Sequence, residues 1–133
     1  MGRRPLILLD THTWIWWVSD PSMLGKGGAR ALRSARRKAI SAISCMEVAM
    51  LAEKGRIRLA RDTRDWMEQS LVAHEIELLP LSPAVCVQAT RLGHGFHGDP
   101  ADRLIMATAI LESATLVTKD QKLLDYPAVN AVW

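Results

Sequence analysis

Four acids stand at or near the ends of four apolar runs in this chain. Asp10 follows Leu6-Ile7-Leu8-Leu9, and Glu47 follows Ala39-Ile40-Ser41-Ala42-Ile43-Ser44. Asp102 lies in His97-Gly98-Asp99-Pro100-Ala101-Asp102-Arg103, and Asp120 follows Thr115-Leu116-Val117-Thr118-Lys119. Parallel α/β folds put their chemistry beyond the carboxyl ends of strands. Carboxylates meeting there make an all-oxygen site suited to Mg²⁺ or Mn²⁺. Each acid also has a plainer explanation. Asp10, Asp99 and Asp120 fit helix N-caps. Ser44-Cys45-Met46-Glu47 fits a capping box, and Asp102 fits the third position of a helix. Capping does not explain why four acids share one sheet edge with only Arg103 and Lys119 as nearby cations. Such carboxylates repel, and a divalent cation between them removes the conflict.

The elements that must hold these acids are readable from periodicity and caps. Leu6 to Leu9 reads as a buried strand and Thr11 to Val18 as a helix, broken at Asp20-Pro21-Ser22. A helix is expected from Leu24 to Arg37, a strand over Ala39 to Ile43, and a helix from Ser44 to Glu53. Thr63 to His74 is amphipathic. Ile76 to Leu81 reads as a strand, and Ser82-Pro83 opens a helix to Leu92. A glycine- and histidine-rich loop follows, and Asp99-Pro100 opens a helix to Glu112. Leu116 to Thr118 is a strand, Asp120 to Leu124 a helical turn and Val129 to Val132 a last strand. Short apolar strands alternating with helices predict a mostly parallel sheet with helices on both faces. All four acid-bearing turns would then open on one edge.

The chain's 133 residues fit one domain with a single core. No apolar stretch reaches the roughly 18 residues that span a bilayer. Met1-Gly2-Arg3-Arg4-Pro5 carries two positive charges, but Asp10 cuts the following apolar run too short for a signal peptide. A cytoplasmic protein without membrane contact is expected, with Cys45 and Cys86 as buried, reduced thiols. His94 and His97 have no companion ligands for zinc. The net charge of +3 is mild, but its basic residues cluster. They form either solvated helix faces or a phosphate-facing rim. In the second case Arg33, Arg36, Arg37 and Lys38 would line one approach to the acids, and Lys54 and Arg56 another.

Leu8-Leu9-Asp10-Thr11-His12, Ile40-Ser41-Ala42-Ile43-Ser44 leading to Glu47, and Gly55-Arg56-Ile57 recur in order with two further motifs. These are His97-Gly98-Asp99-Pro100-Ala101-Asp102-Arg103-Leu104-Ile105 and Leu116-Val117-Thr118-Lys119-Asp120. Together they resemble the PIN-domain toxins called VapC, the ribonuclease half of type II toxin–antitoxin pairs, over essentially the whole chain. The resemblance implies a single PIN-like domain over residues 1–133, three layers thick, with about five strands. It implies a Mg²⁺- or Mn²⁺-dependent endoribonuclease with Asp10, Glu47, Asp102 and Asp120 as catalytic and metal-binding quartet. Asp99 is then the N-cap, with a secondary claim on the metal. Thr118 reads either as a hydrogen-bond donor beside the carboxylates or as a plain strand threonine. Departures from the family pattern fall at Met46, Gly98 and Ala101, where Trp, Arg and Phe are common; the carboxylates are intact.

The implied partners are RNA, a cognate antitoxin and a second copy of the chain. Trp14, Trp16 and Trp17 on the first helix offer the antitoxin an apolar landing surface beside Asp10, unless they are core. The helix rich in Leu104, Ile105, Met106, Ala107, Ala109, Ile110 and Leu111 is apolar nearly all round, as a sandwiched helix or a homodimer seam would be. Two phosphoryl-transfer folds fit less well. Asp10-Thr11-His12-Thr13 has His12 where a haloacid-dehalogenase-like loop needs its second acid. Ile76 to Leu81 ends without the acceptor of a receiver domain. A PIN-like module that binds RNA or protein without cutting is the remaining alternative.

Overall fold

A computed structural model describes residues 5–133. The segment Met1 to Arg4, read above as no signal peptide, lies outside them. The chain runs β1 (Leu6–Leu9), α1 (Thr11–Ser19), a 3₁₀ turn (Pro21–Met23), α2 (Lys26–Ser34), β2 (Arg37–Ser41), α3 (Ala42–Glu53), α4 (Thr63–Ala73) and β3 (Ile76–Leu79). It continues through α5 (Pro83–Ala89), α6 (Pro100–Glu112), β4 (Thr115–Val117), α7 (Gln121–Leu124) and β5 (Asn130–Val132). The strands form one sheet in the order β3-β2-β1-β4-β5, every pairing parallel. This is a three-layer α/β fold.

β1 shows why the sheet needs helices on both faces. All its residues are buried, and side chains alternate between faces along a strand. Leu6 and Leu8 join one core with Ile105, Met106 and Ala109 of α6 and with Leu116 and Phe96. Ile7 and Leu9 join the other with Trp14 of α1, Leu32 of α2, Val48 of α3 and Trp66 of α4. α6 is sandwiched, since Ala107 packs outward against Val85 and Ala89 of α5. That accounts for its apolar pattern except at Leu111, which is exposed.

Several expected boundaries move. β2 begins at Arg37, because Leu6 pairs with Arg37 and Leu9 with Ile40, and the chain turns at Ser41. Ser41, not Ser44, is therefore the N-cap of α3, its hydroxyl accepting from the Ile43 N–H. The capping-box reading of Ser44 and Glu47 is wrong. α2 ends at Ser34 and α5 at Ala89, both shorter than their sequence patterns suggest. Cys45 is partly buried, but Cys86 is exposed on the outer face of α5, against expectation. No described helix is long and apolar enough to cross a membrane.

Candidate metal centre

From β1 the strand order runs outward through β2 to β3, then returns to place β4 on the other side. A crevice opens beyond the strand ends where such a sheet changes direction. Asp10 follows β1 and Asp120 follows Val117 of β4 by three residues, so they flank this switch point. Asp10 caps α1 through the Thr11 N–H at 2.8 Å. Asp120 caps α7 through the Lys122 N–H at 3.0 Å. Glu47 comes from the second turn of α3 and Asp102 from the first turn of α6. Neither stands in a strand-to-helix turn, so only two of the four expected turns carry acids. All four acids nevertheless line one cleft of about 500 Å³, with Thr11, His12, Thr13, Trp16 and Lys119.

Hydroxyl groups fix two of these carboxylates. The buried Thr118 hydroxyl donates to Asp10 Oδ2 at 2.6 Å and accepts from the Asp120 N–H at 3.1 Å. One threonine thus locks the two strand-end acids in register. The buried Thr11 hydroxyl donates to Glu47 Oε1 and lies 2.9 Å from the buried Ser44 hydroxyl. Neither Thr11 nor Ser44 was expected from sequence as a site residue; Ser44 was read there only as a helix cap. Their signals were the position beside Asp10 and the i, i+3 spacing from Ser44 to Glu47, which puts both on one helix face.

Asp99 is the N-cap of α6. Its Oδ1 accepts from the Asp102 N–H at 2.8 Å, and Asp102 Oδ2 accepts in return from the Asp99 N–H at 3.4 Å. Asp99 does not line the cleft. Gly98 has a steric reason: a Cβ there would come within 2.8 Å of the Asp102 Cβ and collide with the Phe96 ring. The glycine lets the loop lie on the first turn of α6. Arg103 secures that loop, donating to the Phe96 carbonyl at 3.0 Å with its guanidinium 5.5 Å from the ring centroid.

Asp10, Glu47 and Asp102 are held in an uncomfortable state. Burial lifts the Asp10 carboxyl above its ordinary range, against the Thr118 and Thr11 hydrogen bonds, and the Asp120 charge adds to the rise. Burial also raises Glu47, opposed by Thr11 and reinforced by Asp10, Asp99 and Asp102. Asp102 rises through burial and then the Asp99 charge, while Lys122 pulls it down. Desolvated carboxylates that raise one another favour a divalent cation over any neutral ligand. Among the described residues, no three His, Cys, Asp or Glu side chains form a group placed to hold a metal ion. An all-oxygen set that leaves room for waters suits Mg²⁺ or Mn²⁺.

The expected basic rim is displaced. Parallel strands all start at one edge and end at the other. Arg36, Arg37 and Lys38 precede or open β2, and Arg33 stands in the last turn of α2 leading there. They lie at the edge opposite the acids, where Arg37 is held by Glu77 at 2.8 Å. Lys54 and Arg56 follow the end of α3 and do not line the cleft. Among the described residues, the cations at the acids are Lys119 and Lys122. Lys119 Nζ is 5.7 Å from the Trp16 ring centroid, and Lys122 Nζ is 3.4 Å from Asp102 Oδ2.

The tryptophans also divide. Trp14 is fully buried, 5.1 Å from Trp66 between centroids, with Nε1 donating to Ser70 at 3.1 Å. It is core and cannot meet a partner. Trp17 packs at the margin of the same core, its Nε1 buried and without a partner among the described residues. Trp16 alone faces the cleft, between His12 at 5.5 Å and Trp133 at 5.8 Å.

Residues 7–129 match the PIN domain family. Ribonuclease VapC22 of Mycobacterium tuberculosis is 40% identical over 129 residues, covering 96% of this chain and 98% of that protein. The fold is similar to that of DNA-bound VapBC from Salmonella typhimurium, with a TM-score of 0.71 at 20% identity over 96% of this chain and 97% of that one. A toxin–antitoxin complex from Klebsiella pneumoniae gives a TM-score of 0.68 at 23% identity over 96% of each chain. With the switch-point cleft, its four acids and this near full-length likeness, the chain belongs to the PIN-domain family, in its VapC branch.

Proposed function

We propose that this chain is a Mg²⁺- or Mn²⁺-dependent endoribonuclease and the toxin of a type II toxin–antitoxin pair. The observation that carries the reading is the convergence of Asp10, Glu47, Asp102 and Asp120, from four separate segments, on one cleft. The likeness to a ribonuclease along the whole chain supports it. Those acids would hold the metal, Glu47 directly or through water. When bound, the metal supplies an activated water and neutralises charge on the phosphodiester. The chain's own part is positional. Thr118 fixes Asp10 and the Asp120 turn together, and Thr11 ties one Glu47 oxygen. Lys119 offsets the negative cleft for an approaching phosphate, and Trp16 forms the wall beside it.

Purified protein stripped with EDTA should leave RNA intact, and Mn²⁺ should restore cutting. Sequencing RNA 5′ ends after brief induction would then show new ends at preferred sites. RNA binding without new ends at any metal concentration would make the chain a non-catalytic module instead.

The partner reading follows from Trp16. An antitoxin segment would pack an apolar face on it and reach an arginine to the quartet, where a guanidinium pairs well with carboxylates. Trp16→Ala should weaken the antitoxin complex by about 2 kcal/mol, roughly thirtyfold, as an interface aromatic does. The readout is affinity by calorimetry. Unchanged binding would move the landing surface away from α1. A second copy of the chain would cover the α5–α6 face, where Val87 and Leu111 are exposed. Light scattering on the same preparation would remove the dimer if it gave the mass of one chain.

A further inference from the structure

We propose that the Lys122 ammonium is the resident counter-ion of Asp102 and Asp120 at the margin of the acidic cleft, and that a divalent cation binds by displacing it. This rests on the reading of the quartet as a metal site. Lys122 Nζ stands 3.4 Å from Asp102 Oδ2 and 3.9 Å from Asp120 Oδ2. It therefore bridges two members of the quartet that come from different elements, α6 and the turn before α7. The other nearby lysine does not do this: Lys119 lies over the Trp16 ring.

The placement is short-range and fixed by sequence. Lys122 follows Asp120 by two residues, and its own backbone N–H is held by the Asp120 carboxylate. An ammonium on this tether is always available to these acids. Its side chain is 54% exposed, so it can swing into solvent without opening the core. Asp102 is the opposite case, with a side chain only 16% exposed and anchored by the α6 cap. When a cation of higher charge arrives, the lysine is the group that moves. An ammonium and a divalent ion about 5 Å apart repel even through water. The metal's affinity therefore already contains the cost of expelling Lys122.

The test is Mn²⁺ calorimetry on the full EDTA-stripped chain. Lys122→Met keeps the stem and removes the charge, and should bind Mn²⁺ about tenfold tighter or more. Lys122→Arg keeps the charge and should bind near the native level. Lys122→Gln serves as a second neutral variant should the methionine form fail to fold. Melting gives an independent readout: the upward shift in Tm caused by Mn²⁺ should be larger in the neutral variants than in the native chain. Equal or weaker Mn²⁺ binding by both neutral variants, with the native chain binding normally, would overturn the displacement alone. No Mn²⁺ binding by the native chain would overturn the metal-site reading, and the displacement with it.

Discussion

Asp102→Asn should lower Mn²⁺-dependent RNA cleavage by about a thousandfold or more, with a melting temperature at or above the native one. The activity loss follows from removing a formal charge from the quartet, since a few kcal/mol of lost transition-state stabilisation is already that factor. The fold should survive because asparagine keeps an oxygen for the Asp99 N–H and leaves the Asp102 N–H free to bond Asp99. The melting expectation follows from the Asp102 carboxyl, which burial and the Asp99 charge hold above its ordinary range. A group so displaced is less comfortable ionised in the fold than in the unfolded chain, and neutralising it relieves the fold. Asp99→Asn is the matched control. Asparagine caps helices as well as aspartate does, so most activity should remain. Rates and circular-dichroism melts of the pair decide the matter. Equal losses of activity would show that the two acids of Asp99-Pro100-Ala101-Asp102 have been given the wrong roles.

Trp14→Ala should cost about 3–5 kcal/mol of stability, the range for emptying a large aromatic site in a core. The native chain can hold only about 7–20 kcal/mol in all, at the usual stability per residue. The substitution therefore brings the protein toward the edge of folding. Trp14 is fully buried against Trp66 and satisfies its indole nitrogen on Ser70. Ser70 would lose that donor but keep its own bond to the Met67 carbonyl. Trp14→Phe keeps most of the volume and should cost about half as much or less. Urea titration measures both. A loss under 1 kcal/mol in the alanine variant would mean that Trp14 is not the centre of this core.

The difference between Trp14 and Trp16 was not visible along the chain. Both lie on one short helix, and which of them faces the sheet depends on the angle at which α1 leaves Asp10. β1 was readable because it is buried on two faces and so is apolar throughout. The ends of the strands were not. Ser41 and Ser44 are equally good caps by type, and only the pairing of Leu9 with Ile40 makes the chain turn at the first. The misplaced rim had a remedy in the sequence. Arg36 to Lys38 precede or open a parallel strand, and residues at the start of such a strand lie away from the edge where it ends. Asp99 and Asp102 could be told apart because Asp-Pro fixes the helix start. Lys122 could not be found this way, since its role depends on α6 and α7 meeting in space.

The Thr118 hydroxyl that joins Asp10 to the Asp120 turn has a consequence for biosynthesis. It links residues 108 positions apart. At about 5–20 residues per second of synthesis, Asp10 is made roughly 5–20 s before the residues that complete its surroundings. Through that interval β1 lacks β4, its neighbour on the side where the crevice forms, and Asp120 does not yet exist. If Asp120 belongs to the metal site as proposed, a ribosome carrying most of this chain is not yet carrying a nuclease. On the proposed reading, cutting power would arrive late, with β4 and the turn that carries Asp120.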